Sequence, residues 1–342
     1  MTMTEGAVRG LAVVAVLIGL VAVPVPGRAA DVGFEQIKIP NGAEPPLVAG
    51  IWYPADAPAV PHSVGALTQA AGPDAPHASD APIAGDHLPL VVLSHGGAGW
   101  YGAHYDTALA LAHAGFVAAA VSHAGDTVND QSGVLQLWRR PEQLHRLIDY
   151  MLDTWHGHER LDGKRIGAFG FSNGGFTVLV AAGGVPDLST IAPFCEAHAG
   201  QDLCEALHHA GVDLHFAANV PARAWVHDPR IRAAVIAAPA FGFAFGRAGL
   251  SGVRVPLQLW SAADDRHQPH PYYDEPVRDG LPRAPDYRLV ADAGHYDFLP
   301  PCGARLSRTQ PALCSSLPGF DRAAFHDWFN ADVVRFFRAM LP

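Results

Sequence analysis

The chain is poor in charge. Only 16% of its 342 residues are Asp, Glu, Lys or Arg, and the acidic ones outnumber the basic ones, 33 to 23. With a formal net charge of −10 and no Lys/Arg cluster, a nucleic-acid surface is excluded. Metal signatures are missing too. The four cysteines form no Cys-x-x-Cys pair, and none of the 19 histidines stands in a His-Glu-x-x-His pattern. His208, His209, His215, His267 and His270 read as scattered loop or surface histidines. No internal repeat is present, which excludes solenoids and propellers.

No long hydrophobic run is found at the N-terminus either. Leu11 to Val23 is apolar for only thirteen residues, short of the roughly 20 that a bilayer requires. Arg9 precedes it, Pro24 and Pro26 break it, and small residues follow. This is the pattern of a secretory signal peptide over residues 1–29, with Gly27 and Ala29 at the small cleavage positions. No cysteine follows that would take a lipid, so no stable membrane anchor is expected after cleavage.

What is present is a 49% hydrophobic chain, enough for a sizeable core in one domain over residues 30–342. Cys195 with Cys204 and Cys302 with Cys314 are the pairings favoured by spacing, each pinning a loop in an oxidising compartment, periplasmic or extracellular. Phe34 to Ile39 and Leu47 to Tyr53 read as an antiparallel pair, and residues 54–87 as a surface loop without periodicity. Leu88 to Ser94 and Phe116 to Val121 are continuous apolar runs of the kind buried on both faces of a parallel sheet. Helices are expected over His104 to Ala114, Trp138 to Trp155, Tyr272 to Leu281 and Arg322 to Met340. In the last, Phe325, Trp328, Phe329, Val333, Phe336, Phe337 and Met340 form the apolar side. Residues 186–229 interrupt this rhythm as a lid-like insertion, with a short helix around Ala206 to Ala217. Strands alternating with such helices predict an α/β fold with a mostly parallel central sheet and helices on both faces.

The chemistry concentrates at Lys164 to Val180. A strand, Arg165 to Phe169, runs into Gly170-Phe171-Ser172-Asn173-Gly174-Gly175, and a helix follows near Phe176. In Gly-x-Ser-x-Gly the glycines clear space for a turn so tight that the serine hydroxyl stands above the sheet edge. The N–H of Asn173 faces the same point at the positive end of the new helix, a place for an oxyanion. In a chain with 35 glycines the pattern alone carries false-positive risk, so the remaining strand ends must supply a base and an acid. They do. Val255 to Trp260 ends at Asp264-Asp265, and Tyr287 to Ala291 ends at Gly294-His295. Leu88 to Ser94 opens into His95-Gly96-Gly97-Ala98-Gly99, whose turn can offer a second backbone donor at Gly97. His95 would orient that turn by hydrogen bonds. Trp100, Tyr101 and Phe171 are candidates to line a substrate pocket.

The order Ser172, Asp, His295 is that of the α/β-hydrolase triad. On PLVVLSHGGAG, GFSNGG, VPLQLWSAADD with HPYYDEPVRDGLP, AGHYDFLPPC and PGFDRAAFHDWFN, the chain from about residue 34 onward resembles one group of that superfamily. The group is the exported dienelactone-hydrolase-like proteins related to platelet-activating-factor acetylhydrolase. The resemblance implies serine-dependent hydrolysis of a small-molecule carboxylic ester, no metal or other cofactor, and oxyanion donors at Asn173 and Gly97. Plain dienelactone hydrolases carry a cysteine where this chain has Ser172, so the substrate does not follow from the name. For the acid, the resemblance implies Asp265 by the family's spacing from Pro256 and to Pro269, whereas counting from Trp260 as in other hydrolases favours Asp264. We assign Asp265 and leave Asp264 to the loop. A peptidase or lipase on the same scaffold, and a non-catalytic binding protein, are the competing readings.

Overall fold

The computed structural model describes residue 2 and residues 31–56, 60–61, 76–79, 81–217 and 220–342. The expected signal peptide, residues 1–29, lies almost wholly outside them. Asp31–Asn41 (β1) and Glu44–Ala55 (β2) pair antiparallel through a turn in which Gly42 takes a φ of 64°. The segment 54–87 is not featureless. Val60–Pro61 (β3) pairs with Pro76–Ser79 (β4), and β4 adds to the free edge of β1 through Gly33 and Phe34. Backbone pairing at an open sheet edge is carried by main-chain groups and leaves no side-chain period to read.

Five crossovers follow. Leu88–Ser94 (β5) leads through Tyr105–His113 (α1) to Val117–Val121 (β6), and Arg139–Asp153 (α2) returns the chain to Leu161–Phe171 (β7). After Asn173–Ala181 (α3) come Ile191–Ala197 (α4) and Asp202–His209 (α5), which carry the chain to Ile231–Ala237 (β8). Arg247–Leu250 (α6) precedes Leu257–Ala262 (β9), and Glu275–Gly280 (α7) precedes Asp286–Val290 (β10). Ala304–Thr309 (α8), Pro311–Cys314 (α9) and Arg322–Met340 (α10) complete the chain.

Across the sheet the order is β10-β9-β8-β7-β5-β6-β2-β1, with β4 and β3 beyond β1. All pairs from β6 to β10 are parallel, β2 pairs antiparallel with both β6 and β1, and β4 joins β1 in parallel. Because β5 sends its chain to β6 on one side while β7 lies on the other, a crevice opens between the C-terminal ends of β5 and β7. Ligands bind at such a reversal in open α/β sheets.

The core has two layers. β5 alternates Leu90 and Val92 into one and Val91 and Leu93 into the other. The first is covered by α2 and α3, the second by α1 and α10. In α10, Phe325, Phe329, Val333, Phe336 and Phe337 are buried as expected, but Trp328 is 48% exposed. It sits at the border of the stripe, with its ring edge-on to Trp260 at 4.9 Å and to Phe325 at 6.0 Å between centroids.

Both cysteine pairs close as their spacing suggested, at Cα separations of 5.3 Å for Cys195–Cys204 and 5.6 Å for Cys302–Cys314. Two boundaries differ from expectation. The helix expected over Ala206 to Ala217 ends at His209, because Gly211 leaves it at a φ of 63°. The helix expected near Phe176 begins at Asn173, since the Ser172 carbonyl already accepts the N–H of Phe176 at 3.1 Å. Among the described residues no helix is long and apolar enough to cross a membrane.

Candidate active site

Ser172 stands at the turn between β7 and α3 with φ 55° and ψ −120°, a conformation that residues other than glycine seldom adopt. The flanking glycines explain how the chain reaches it. A Cβ at Gly170 would lie 2.1 Å from the Gly174 carbonyl oxygen, and one at Gly174 would lie 1.9 Å from that of Ser94. The helix therefore starts hard against the end of β5. As its first residue, Asn173 has an N–H with no intrahelical acceptor, at the positive end of the helix.

Ser172 Oγ lies 3.1 Å from His295 Nε2, and His295 Nδ1 lies 2.7 Å from Asp265 Oδ2. All three residues are buried. Asp265 is itself fixed, since its Oδ1 accepts the N–H groups of His267 at 2.8 Å and Gln268 at 2.7 Å. A carboxylate so held dictates that Nδ1 carries the imidazole proton and leaves Nε2 free to accept one from the serine. Asp264 is exposed, and its backbone N–H bonds the Ala293 carbonyl at 3.0 Å, tying the acid loop to the histidine loop.

The glycine turn after β5 is anchored on both sides of Gly97. Upstream, the Arg140 guanidinium donates to the His95 carbonyl; downstream, Asp126 Oδ1 accepts the Ala98 N–H at 2.7 Å. Arg140 and Asp126 form a buried ion pair with each other, and Arg140 Nε also donates to Thr177 Oγ1 at 3.0 Å. The Asn173 side-chain amide reaches the same Asp126 carboxylate at 3.4 Å. One ion pair thus spans the turn at Gly97 and the helix start at Asn173.

Two histidines back this turn. His95 Nδ1 donates to the Gly96 carbonyl at 2.6 Å and Nε2 accepts the His123 N–H at 3.0 Å, so the ring is neutral. His123 Nδ1 donates to Gln143 Oε1 at 3.0 Å, and its Nε2 accepts from Ser94 Oγ at 2.8 Å. Burial first, and then the charge of Arg140, holds both imidazoles well below their ordinary pKa. Neither can serve as a proton carrier near neutral pH.

Above Ser172 opens a cleft of about 640 Å³. Gly97, Trp100, Phe171, Ser172, Asn173 and His295 line it. Tyr101, expected there, does not. It is buried among Phe34 and Trp52, with its hydroxyl on Gln36 Oε1 at 2.7 Å and its pKa raised by burial to about 12. Tyr105 lines the cleft in its stead. Among the described residues, none from 186–229 lines it; that insertion touches the site through Asp202, whose carboxylate pairs with His267 Nδ1 at 2.9 Å. His267 faces the cleft beside His295, ring centroids 5.1 Å apart, and burial first, then the neighbouring imidazole, lowers its pKa.

Sequence reasoning overlooked Asp126, Arg140 and the wall formed by residues 299–313. A signal for Arg140 existed. It precedes Leu144, Leu147, Ile148 and Met151 at helical spacing, which puts a cation on the buried stripe of α2 and calls for a buried anion. The wall gave no such sign, because its short helices carry no apolar period.

This strand order, with a strained serine after β7 and an acid and a histidine after β9 and β10, defines an α/β-hydrolase fold. No family model and no curated protein matches the chain. Among solved structures it is similar to a ferulic acid esterase from Streptomyces cinnamoneus, with a TM-score of 0.61 and 19% identity over 93% of this chain and 92% of that one. At that identity the likeness is one of fold.

Proposed function

We propose that the protein is an exported serine hydrolase that cleaves a carboxylic ester through an acyl-enzyme intermediate. The observation that carries the proposal is the unbroken line from Asp265 Oδ2 to His295 Nδ1 and from His295 Nε2 to Ser172 Oγ. His295 takes the hydroxyl proton as Ser172 Oγ bonds the ester carbonyl carbon, and the carbonyl electron pair moves to oxygen. The N–H groups of Asn173 and Gly97 receive that oxyanion, worth about 3 kcal/mol of barrier per donor. As the intermediate collapses, the alcohol leaves with the proton from His295. Water then repeats the sequence, and the acid departs. The esterase named among the fold relatives supports this reaction class, and the two disulfides support an oxidising compartment. The narrower kinship to dienelactone-hydrolase-like and platelet-activating-factor acetylhydrolase-like proteins, and residues 30–342 as one hydrolase domain behind a signal peptide, belong to the same proposal.

The test is turnover of p-nitrophenyl acetate and butyrate by the purified mature protein, with labelling by a fluorophosphonate. Both are expected for the wild type and neither for Ser172→Ala. Labelling that survives Ser172→Ala would refute the nucleophile.

A further inference from the structure

The cleft has an unusual wall. Leu299, Pro300 and Pro301 lead into α8 and α9, and Leu306 of α8, Leu313 of α9 and Gln310 between them line the cleft. Helices of six and four residues do not persist in water on their own, and neither contains a fully buried residue. The loop is closed instead by Cys302–Cys314, whose Cys302 also lines the cleft.

A second fastening ties it to the reacting group. Arg322, buried at the start of α10, donates to the carbonyls of Leu313 at 2.8 Å and Ser315 at 3.0 Å, and through Nε to Asp297 Oδ1 at 2.9 Å. Asp297 in turn accepts the N–H of Gly294 at 2.8 Å, and its own carbonyl accepts from His326 Nε2 at 2.9 Å. Gly294 and Asp297 bracket His295. The Asp297–Arg322 pair therefore sets the wall and the histidine loop in one register.

Among the described residues no Lys, Arg, Asp or Glu lines the cleft, and its imidazoles are His295 and His267, the latter with a lowered pKa. A carboxylate or ammonium brought in with the substrate would lose water and find none of those four side chains to pair with. The volume of about 640 Å³ falls in the range that encloses a drug-sized ligand, far beyond an acetyl group.

Resting on the esterase reading above, we propose that the Cys302–Cys314 loop is the substrate-selecting wall. It selects uncharged esters whose bulky apolar group, on the acyl or the alcohol side, packs against Leu306 and Leu313.

The experiment compares wild type with the double variant Leu306→Gln/Leu313→Gln, two half-buried positions where the change keeps a good helix former and removes apolarity. p-Nitrophenyl octanoate against p-nitrophenyl acetate probes the acyl side, and 2-naphthylmethyl acetate against methyl acetate probes the alcohol side. In one of these pairs the wild-type preference, as a ratio of kcat/KM, is expected to fall by about tenfold in the variant, through KM. Cys302→Ser/Cys314→Ser is expected to lose the same preference, and thermal melting verifies that each variant is folded. The wild type should also favour p-nitrophenyl hexanoate over the p-nitrophenyl monoester of adipic acid by about tenfold or more. Unchanged ratios in both pairs for folded Leu306→Gln/Leu313→Gln, or equal use of the adipic monoester, overturn the wall. Failure of the wild type to take fluorophosphonate at Ser172 would overturn the esterase reading instead.

Discussion

Asp265 Oδ2 stands 2.7 Å from His295 Nδ1, while Asp264, its neighbour, is exposed and joins the histidine loop only through its backbone. Two adjacent carboxylates thus have different surroundings. Asp265→Asn offers an amide whose NH2 can face Nδ1 and favour the wrong tautomer, so kcat should fall at least about a hundredfold. Asp264→Asn keeps the backbone bond and should stay within about threefold of wild type. Steady-state rates on p-nitrophenyl butyrate compare the two, and the reverse pattern would reassign the acid.

The serine turn tolerates no side chain at Gly174, where a Cβ would sit 1.9 Å from the Ser94 carbonyl oxygen. Backbone of β5 and α3 would have to part, so Gly174→Ala should cost about 3 kcal/mol or more. At Gly200 a Cβ meets nothing within 4 Å, and Gly200→Ala should shift stability by less than about 1 kcal/mol. Urea denaturation of the two variants measures the contrast.

The contrast also marks what was legible in the residues. Leu88–Ser94 and Val117–Val121 could be read as buried parallel strands because every position but Ser94 is apolar, and the juxtaposition of Ser172, Asp265 and His295 because each follows a strand end. Tyr101 was misjudged for a physical reason. Sequence adjacency to Trp100 places both at the cleft, but the turn sends one ring outward and buries the other against Trp52. The β3–β4 pair and the 299–313 wall stayed hidden because backbone pairing, a disulfide and one arginine hold them, and none of these leaves a hydrophobic period.

Arg140 and Asp126 offer a test that separates stability from positioning. Removing one partner leaves a buried charge unpaired, so Arg140→Met alone should cost about 3–5 kcal/mol. The double change Arg140→Met/Asp126→Leu removes both charges and should recover most of that loss. Activity should not return with it, since the Ala98 N–H and the His95 carbonyl lose the groups that fix the turn at Gly97. Stability from denaturation and kcat on p-nitrophenyl acetate are read on the same samples. A double variant that is stable and fully active would show that the turn holds itself.

His104 is buried with its ring edge-on to Phe169 and Phe171, and neither ring nitrogen has a hydrogen-bond partner. Burial is the first cause that lowers its pKa from 6.5 to about 4, with a nearby His326 adding to it and Asp106 opposing. The unfolded chain therefore binds this proton more readily than the folded one. The stability linked to the neutral ring is full above pH 6.5 and is lost as pH falls through 4, roughly 3 kcal/mol in all. His104→Leu, close in volume, removes two unpartnered polar atoms and should stabilise the protein at pH 7 by about 1 kcal/mol. It should also flatten the stability curve between pH 6.5 and 4, leaving the slope due to His95 and His123, which the substitution does not touch. Denaturation midpoints measured at half-unit steps across that window decide the matter: parallel curves for the two proteins would mean that His104 does not carry this acid lability.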